Sequence, residues 1–490
     1  MNVFKRKSIY LAVAAGLGSV GVASSAAAVT VSQTGTGEVL IYPYFTARNG
    51  NDTYISVTNT TPSAKAVKVR FLEGKNSREV LDFNLYLSAN DMWTGAVVAT
   101  ATGARLSTTD KSCSGLPTGG ADFVNYAYGG TNTETNAGVI PAPTSGLTGD
   151  FESQTLDRTR EGYFEIIEMG TIAGGSALET AVTHVNGTPA NCTVANNLTA
   201  VTAPPFLLEP TGGLAGNASL MNVAAGTDAS FDPVALSAFS NVQIWNNSGE
   251  ILPDMTNVAP KTSIVFKNGI AVTSTWAARG NAVTGSTADP VTAVLMHDRL
   301  MNDFVLDTAT LSGTDWVITM PTKRHYIGVD GGATAAGANP ITPFTTRFYT
   351  GGACESITLT YYNREEGTPT STTSSVSPLP PGVSGDALCW ESTVLTFNNS
   401  AVLGSSNQVN KTIDAAYQNG WMNMAFAGAS NNMVDAAAAY TYVGLPAVGF
   451  MVQDFVNGNV GGVLSNYGGS FIHKYRTNIT GAGITSATGE

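Results

Sequence analysis

Between Lys65 and Leu72 the chain reads KAVKVRFL, and its side chains alternate in character. Val67, Val69 and Phe71 fall on one side, Lys68 and Arg70 on the other. A period of two marks a half-buried strand. The pattern recurs from Glu79 to Leu87 (EVLDFNLYL), with Leu81, Phe83, Leu85 and Leu87 inward. From Thr53 to Thr58 (TYISVT), Tyr54 and Ser56 oppose Ile55 and Val57. Glu38 to Thr46 (EVLIYPYFT) is a further strand, in which Pro43 demands an edge position or a bulge. Asn49-Gly50 marks a turn. Four such strands within about 50 residues, joined by short turns, predict an antiparallel sandwich.

The pattern fades and then returns. Residues 100–150 are rich in Gly, Thr, Ala and Pro and read as long surface loops pinned by Cys113. Gly162 to Met169 resumes a strand, Ala203 to Pro210 is extended, and Asn217 to Ala224 and Asn241 to Trp245 are short strand candidates. Asp315 to Met320 (DWVITM), Ser356 to Tyr362 (SITLTYY) and Ser392 to Phe397 (STVLTF) are the clearest strands of the second half. Gly367 to Gly385 is a Ser/Thr/Pro run that reads as a flexible exposed loop. Two short helices are expected. Asp289-Pro290 places a cap before a first-turn proline, with Val291, Val294, Leu295, Met301 and Phe304 at helical spacing; Asp232-Pro233 opens a shorter one through Val234, Leu236 and Phe239. The expected fold is mostly β: antiparallel sandwich-like domains with long Gly/Thr/Ser-rich loops. The boundaries drawn are 29–260 for the first domain, with the 100–150 loop insertion, and 261–490 for the second.

The first 28 residues read as an address. Lys5, Arg6 and Lys7 precede a small apolar run, Ile9 to Val22, and Ala26-Ala27-Ala28 offers an A-x-A cleavage site. This is the layout of a secretory signal peptide; the run is shorter than the roughly 20 residues of a membrane-spanning helix. After its removal no membrane span is expected. An exported chain with four cysteines reads as a disulfide framework. Sequence proximity favours Cys113–Cys192 and Cys354–Cys389. Direct hairpin pairing of Ser356–Tyr362 with Ser392–Phe397 would hold Cys354 and Cys389 on the order of 25–30 Å apart by strand rise. The disulfide is the stronger inference, so that pairing is set aside.

Charge narrows the partners. The formal net charge is −12, and −15 once the three basic leader residues go. An acidic surface disfavours nucleic acid. Charged residues make up only 12% of the chain while apolar residues reach 43%, so it builds cores but presents neutral polar surfaces. Low charge removes one guard against edge-to-edge strand pairing.

Chemical motifs are sparse. His184, His297, His325 and His473 are scattered, and no two share metal-ligand spacing. Gly458 to Gly469 follows no dinucleotide fingerprint and reads as turns and bulges. Glu161, Glu165 and Glu168 cluster with Asp157, Arg158 and Arg160, but strand geometry sends Glu165 and Glu168 to opposite faces; ion pairing or a solvated edge explains them better than a catalytic pair. Tyr42, Tyr44, Trp93, Tyr361, Tyr362 and Trp390 are core aromatics by default and sugar-stacking platforms if exposed. Asn51, Asn59, Asn191 and Asn478 stand in Asn-x-Ser/Thr triplets, which carry glycans only in a host with the machinery. No catalytic residue, metal ligand or cofactor is assigned; calcium suits an acidic exported β-protein, although no linear calcium loop supports it.

Four stretches, VLIYPYFT (Val39–Thr46), VRFLEGKNSREVLDFNLYLS (Val69–Ser88), TDWVITMPTKRHY (Thr314–Tyr326) and LSNYGGSFIHK (Leu464–Lys474), resemble a group of uncharacterised exported proteins of proteobacteria. The resemblance implies a bacterial cell-surface or secreted β-protein and no reaction. The expectation is therefore a non-enzymatic cell-surface structural or adhesive protein. It would be a self-associating surface-layer or fibre subunit, with copies of itself or other surface components as partners. The alternative is a secreted carbohydrate-binding or polysaccharide-degrading protein.

Overall fold

The structure is a computed structural model that describes residues 28–125, 152–198, 204, 206–277, 287–327, 340–348, 351–369, 375–426, 430–481 and 483–484. Strands dominate it, the sheets are largely antiparallel, and none of the described sheets closes into a barrel.

The strongest alternation builds the first sandwich. One sheet of eight strands runs in the order Thr30–Val31, Val234–Ser237, Val39–Thr46, Glu161–Ile172, Lys65–Glu73, Glu79–Leu87 and Cys113–Ser114, with Leu207–Leu208 paired beside Glu161–Ile172. Val69 sits opposite Phe83 on one side and Ile166 on the other, so the inward residues of three strands align across the sheet. A second sheet of six strands covers them: Thr227–Phe231, Leu214–Asn222, Asp52–Asn59, Met92–Ala99, Ala104–Ser107 and Gly120–Asp122. Ile55, Val57, Trp93, Val97 and Leu220 close the core from that side. Phe164 stacks on Tyr42 and Phe71, with ring centroids 4.1 and 5.0 Å away.

Pro43 sits at a bulge. Tyr42 pairs with Phe164 and Phe45 with Gly162, so two residues face Tyr163 alone where proline would break a regular ladder.

A third sheet orders Gln408–Lys411, Ser392–Phe397, Gly313–Thr319, Val448–Val460 and Val463–Ile472; its first pair is parallel. Its strands Ser392–Phe397 and Gly313–Thr319 and the first half of Val448–Val460 are buried on both faces. Val317, Val394, Phe450 and Val452 complete the first core, while Trp316, Ile318, Leu395, Phe397 and Met451 enter another. A strand covered on both faces reads as an unbroken apolar run, which is the character of DWVITM. The fourth sheet supplies the rest of that core with Leu300, Phe304, Ile357, Tyr361, Met422 and Met424, from Arg299–Val305, Glu355–Asn363 and Asn419–Phe426. Ser356–Tyr362 and Ser392–Phe397 thus lie in different sheets, and the Cys354–Cys389 bond forms without conflict. Cys113 bonds Cys192.

Several local expectations are corrected. Helix Asp289–Leu295 exists, but Asp289 is its first residue, the N-cap position falls to Ala288 without a side-chain hydrogen bond, and Met301 and Phe304 lie on strand Arg299–Val305. Every residue of that helix is buried, so a periodic stripe has no meaning there. Val234–Ser237 is a strand rather than a helix, because it fills a slot beside Val39–Thr46. Residues 241–245 form no strand. Within the proposed 100–150 loop, Ala104–Ser107 and Gly120–Asp122 extend the second sheet; residues 126–150 lie outside the described residues. The Ser/Thr/Pro run is not wholly exposed: Val376 is buried in the second core, although residues 370–374 lie outside the described residues.

Candidate functional site

The outer face of the eight-stranded sheet gathers the charges that the alternation predicts. Arg70 lies opposite Asp82 on one neighbour and Glu165 on the other. Its Nε donates to Glu79 at 2.8 Å and its Nη1 to Glu165 at 2.9 Å. Lys68 reaches diagonally to Asp82 at 2.6 Å. Lys68, Arg70, Glu79 and Glu165 are buried and Asp82 is partly so, and the loop that carries Asn247, Glu250 and Asp254 lies over them. Burial pushes the Glu165 carboxyl up to about 7, against the pull of Arg70. Burial also works against the Arg70 cation, yet Glu79 and Glu165 outweigh it and hold the guanidinium firmly charged.

The other acidic candidates close separate seams. Glu161 accepts from Tyr44 Oη at 2.9 Å, Arg48 Nε at 2.7 Å and the Ser406 backbone N–H at 2.8 Å, so it ties two strands to a loop of the second half. Glu168 accepts from Lys65 Nζ at 2.8 Å and from the backbone N–H groups of Thr211 and Gly212. Arg158 grips Glu73 with two hydrogen bonds, at 2.7 and 2.9 Å. Arg160 pairs with Asp157 at 3.0 Å. The cluster is therefore a set of ion pairs, and its glutamates are buried rather than on a solvated edge.

Two of the resembling stretches meet at this seam. Arg324 Nη1 donates to the Ser77 carbonyl at 2.8 Å, and Tyr163 Oη bridges Ser77 Oγ and the Pro321 carbonyl. Burial raises the Glu391 carboxyl to about 8 despite Lys323 and Arg324 nearby, so it is protonated at neutral pH.

The histidines stay apart. His473 lies within 3.0 Å of the Val317 carbonyl, and His297 stacks on Tyr475. Burial holds His297 and His325 at about 4 and His473 at about 3, so all three are neutral at pH 7. Among the described residues no three His, Cys, Asp or Glu side chains gather to hold a metal ion. Of the aromatics, Tyr42, Tyr44, Trp93 and Tyr361 are core residues. Tyr362 stacks on Trp421, which is exposed, and Lys75 Nζ sits 4.4 Å from the Trp390 ring centroid. Asn59 is buried, its Nδ2 donating to the Ser63 and Ser88 carbonyls, which leaves no room for a glycan.

What the sequence reading did not single out is an arm. Val448–Val460 and Val463–Ile472 form a long hairpin whose tip turns at Gly461-Gly462, both in the left-handed region that glycine tolerates. Its first half is core; its outer half is exposed. Val463, Tyr467 and Phe471 share one face and are 66%, 61% and 53% exposed. Val463–Ile472 is an outermost strand, laddered to Val448–Val460 alone. It touches Thr227–Phe231 through side chains, with Ser470 Oγ donating to the Ser230 carbonyl and Asn466 Nδ2 to that of Ala225. The signal was present: residues 455–472 contain no charged side chain. The reading of Gly458 to Gly469 as turn and bulge is the correct local account, since the register shifts between Val456 and Asn459.

Among the described residues no helix is long and apolar enough to cross a membrane. Comparison with protein-family models, with curated proteins and with solved structures finds no match.

Proposed function

We propose that this chain is an exported structural subunit of the cell exterior that associates with copies of itself through the 448–472 arm. The arm carries the reading. An outermost strand with exposed Val463, Tyr467 and Phe471 offers apolar area and unladdered backbone, the two things a second strand needs. The occupant is argued from charge. Two copies of a chain at net −12 repel, and residues 455–472 are a stretch where they meet without opposing carboxylates. The leader-like start, the two disulfides and the low charge support a location outside the cytoplasm.

Sedimentation velocity on the mature protein, with negative-stain images of the same samples, tests it. Assembly should grow with concentration, and Tyr467→Asp with Phe471→Asp should weaken it by at least about tenfold, because each buries an unpaired charge. A protein that stays monomeric to roughly 100 µM, well above the affinity of stable interfaces, overturns the proposal. Cell fractionation supplies the location; recovery from the cytoplasm alone would remove the export half of the reading.

A further inference from the structure

Directly across the sheet from Lys68 stands an amide. Lys68 on strand Lys65–Glu73 pairs in register with Asn84 on strand Glu79–Leu87, and both side chains belong to the outer face. Directly opposed residues of an antiparallel pair hold their Cβ atoms about 4.5–5.5 Å apart, which is within the reach of a lysine. The two heads also go to the same place. Lys68 Nζ donates to the Asn247 carbonyl and Asn84 Nδ2 to the Asn246 carbonyl, acceptors of consecutive residues in the covering loop. Both residues are shut off from water, Lys68 at 0% exposure and Asn84 at 4%.

Two features set this lysine apart from an ordinary buried ion pair. The first is a base in contact with it. Asp82 Oδ2 lies 2.6 Å from Lys68 Nζ, and the Gly249 backbone N–H holds that oxygen from the other side at 2.9 Å. The second is the state of the amide. Asn84 Oδ1 is enclosed and has no hydrogen-bond partner. A buried polar atom left open in this way calls for an explanation, and chemistry at the group is one. Asp82 stands two residues from Asn84 on the same face, so a proton taken up by Asp82 has an open acceptor beside it. Lys65 shows the contrast within the same strand. It is equally buried, but it meets the Glu168 carboxylate and lies opposite Leu87 rather than an amide.

We infer that Lys68 and Asn84 join covalently, through an amide between Lys68 Nζ and Asn84 Cγ, with Asp82 as the base. Asp82 takes a proton from the Lys68 ammonium, and the freed amine attacks Cγ of Asn84. A second proton passes from the attacking nitrogen to Nδ2 as the Cγ–Nδ2 bond breaks. The products are the cross-strand amide and ammonium; nothing is oxidised or reduced, and no co-reactant is needed. Register supplies the proximity that makes an unactivated amide reactive. Exclusion of water protects the new bond from hydrolysis. The link staples two strands of the first sandwich and stands whether or not copies of the chain associate through the arm.

The test is a tryptic digest of the purified full-length protein, denatured and reduced after folding, read by tandem mass spectrometry. Trypsin should cut after Lys65 but not after Lys68, and residues 66–70 should appear joined to residues 79–105 at their summed mass less one ammonia. Asn84→Asp should give a linked pair of the same mass, since water then leaves in place of ammonia. Asn84→Leu and Lys68→Met should give no linked pair. Asp82→Asn should lower the linked fraction at least about tenfold, the usual minimum for losing a base being larger still. Cleavage after Lys68 with an unmodified 79–105 peptide in the wild-type digest overturns the inference. A link from Lys68 to Asp82, short of one water rather than one ammonia, overturns it as well. Full linkage in Asp82→Asn overturns the choice of base. The wild-type digest decides whether the bond exists, so a variant that fails to fold leaves that outcome unchanged.

Discussion

The outer face of the eight-stranded sheet and the outer half of the hairpin arm invert the usual relation between residue type and water. On the sheet face Lys68, Arg70, Glu79 and Glu165 are buried; on the arm Val463, Tyr467 and Phe471 are exposed. Among the described residues twenty Lys, Arg, Asp and Glu are buried, in a chain that has only 60 of them. The contrast teaches where specificity comes from. Buried ion pairs add little net stability but penalise any register that separates partners, so they define how the sheet meets the segments that cover it. The outer part of the arm has no ion pair to fix it, since residues 455–472 contain no charged side chain.

The largest effect should come from breaking a buried partner. Arg70→Leu leaves Glu79 and Glu165 without their cation and should lower unfolding free energy by about 4 kcal/mol in urea titration. Loss well under 1 kcal/mol would mean the carboxyls simply neutralise. Next is the Cys113–Cys192 bond, which spans 79 residues; replacing both with Ser should cost about 3 kcal/mol by the same measurement.

A pH series sharpens the comparison. Glu391 titrates at about 8 in the folded chain and near 4.5 when unfolded, so the folded state holds the extra proton between these values. Its stabilising contribution is complete below about pH 4.5 and is lost as pH rises through 8. His297, His325 and His473, depressed to about 4, 4 and 3, act in the opposite sense, weakening the fold as pH falls below about 6.5. Glu38 and Glu165, both raised to about 7, act in the same sense as Glu391, so the Glu391 effect is cleanest from about pH 7 to 8. There stability should fall, and Glu391→Gln should flatten that fall by about 1 kcal/mol, because the group is half deprotonated by pH 8. An unchanged slope would place its proton elsewhere. Smallest of all, Tyr467→Asp should shift unfolding by less than about 0.5 kcal/mol while altering association, because Tyr467 is exposed.

Much of the fold was legible in the chain. The strands around Val67, Phe83 and Ile55 follow from alternation, since one buried face forces a period of two. DWVITM and STVLTF followed from their apolar runs. The helix misassignments at Val234 and Met301 share a cause. Where every side chain is buried, periodicity vanishes, and neighbours rather than pattern choose strand or helix. The candidate sites were less legible. Glu161, Glu165 and Glu168 were visible as a cluster, but their partners, Arg48, Arg70 and Lys65, lie about 100 residues earlier.

The sequence by itself determined the mostly β class, the strand faces and the neutral polar surface, because these depend on local period and composition. It also favoured the cysteine pairing by proximity. Only the tertiary structure decided that the charged face of Lys65–Glu73 is buried, that the third sheet completes two cores, and that residues 455–472 stand out as an arm. Those outcomes depend on which distant segment covers which face, and short-range patterning carries no record of that.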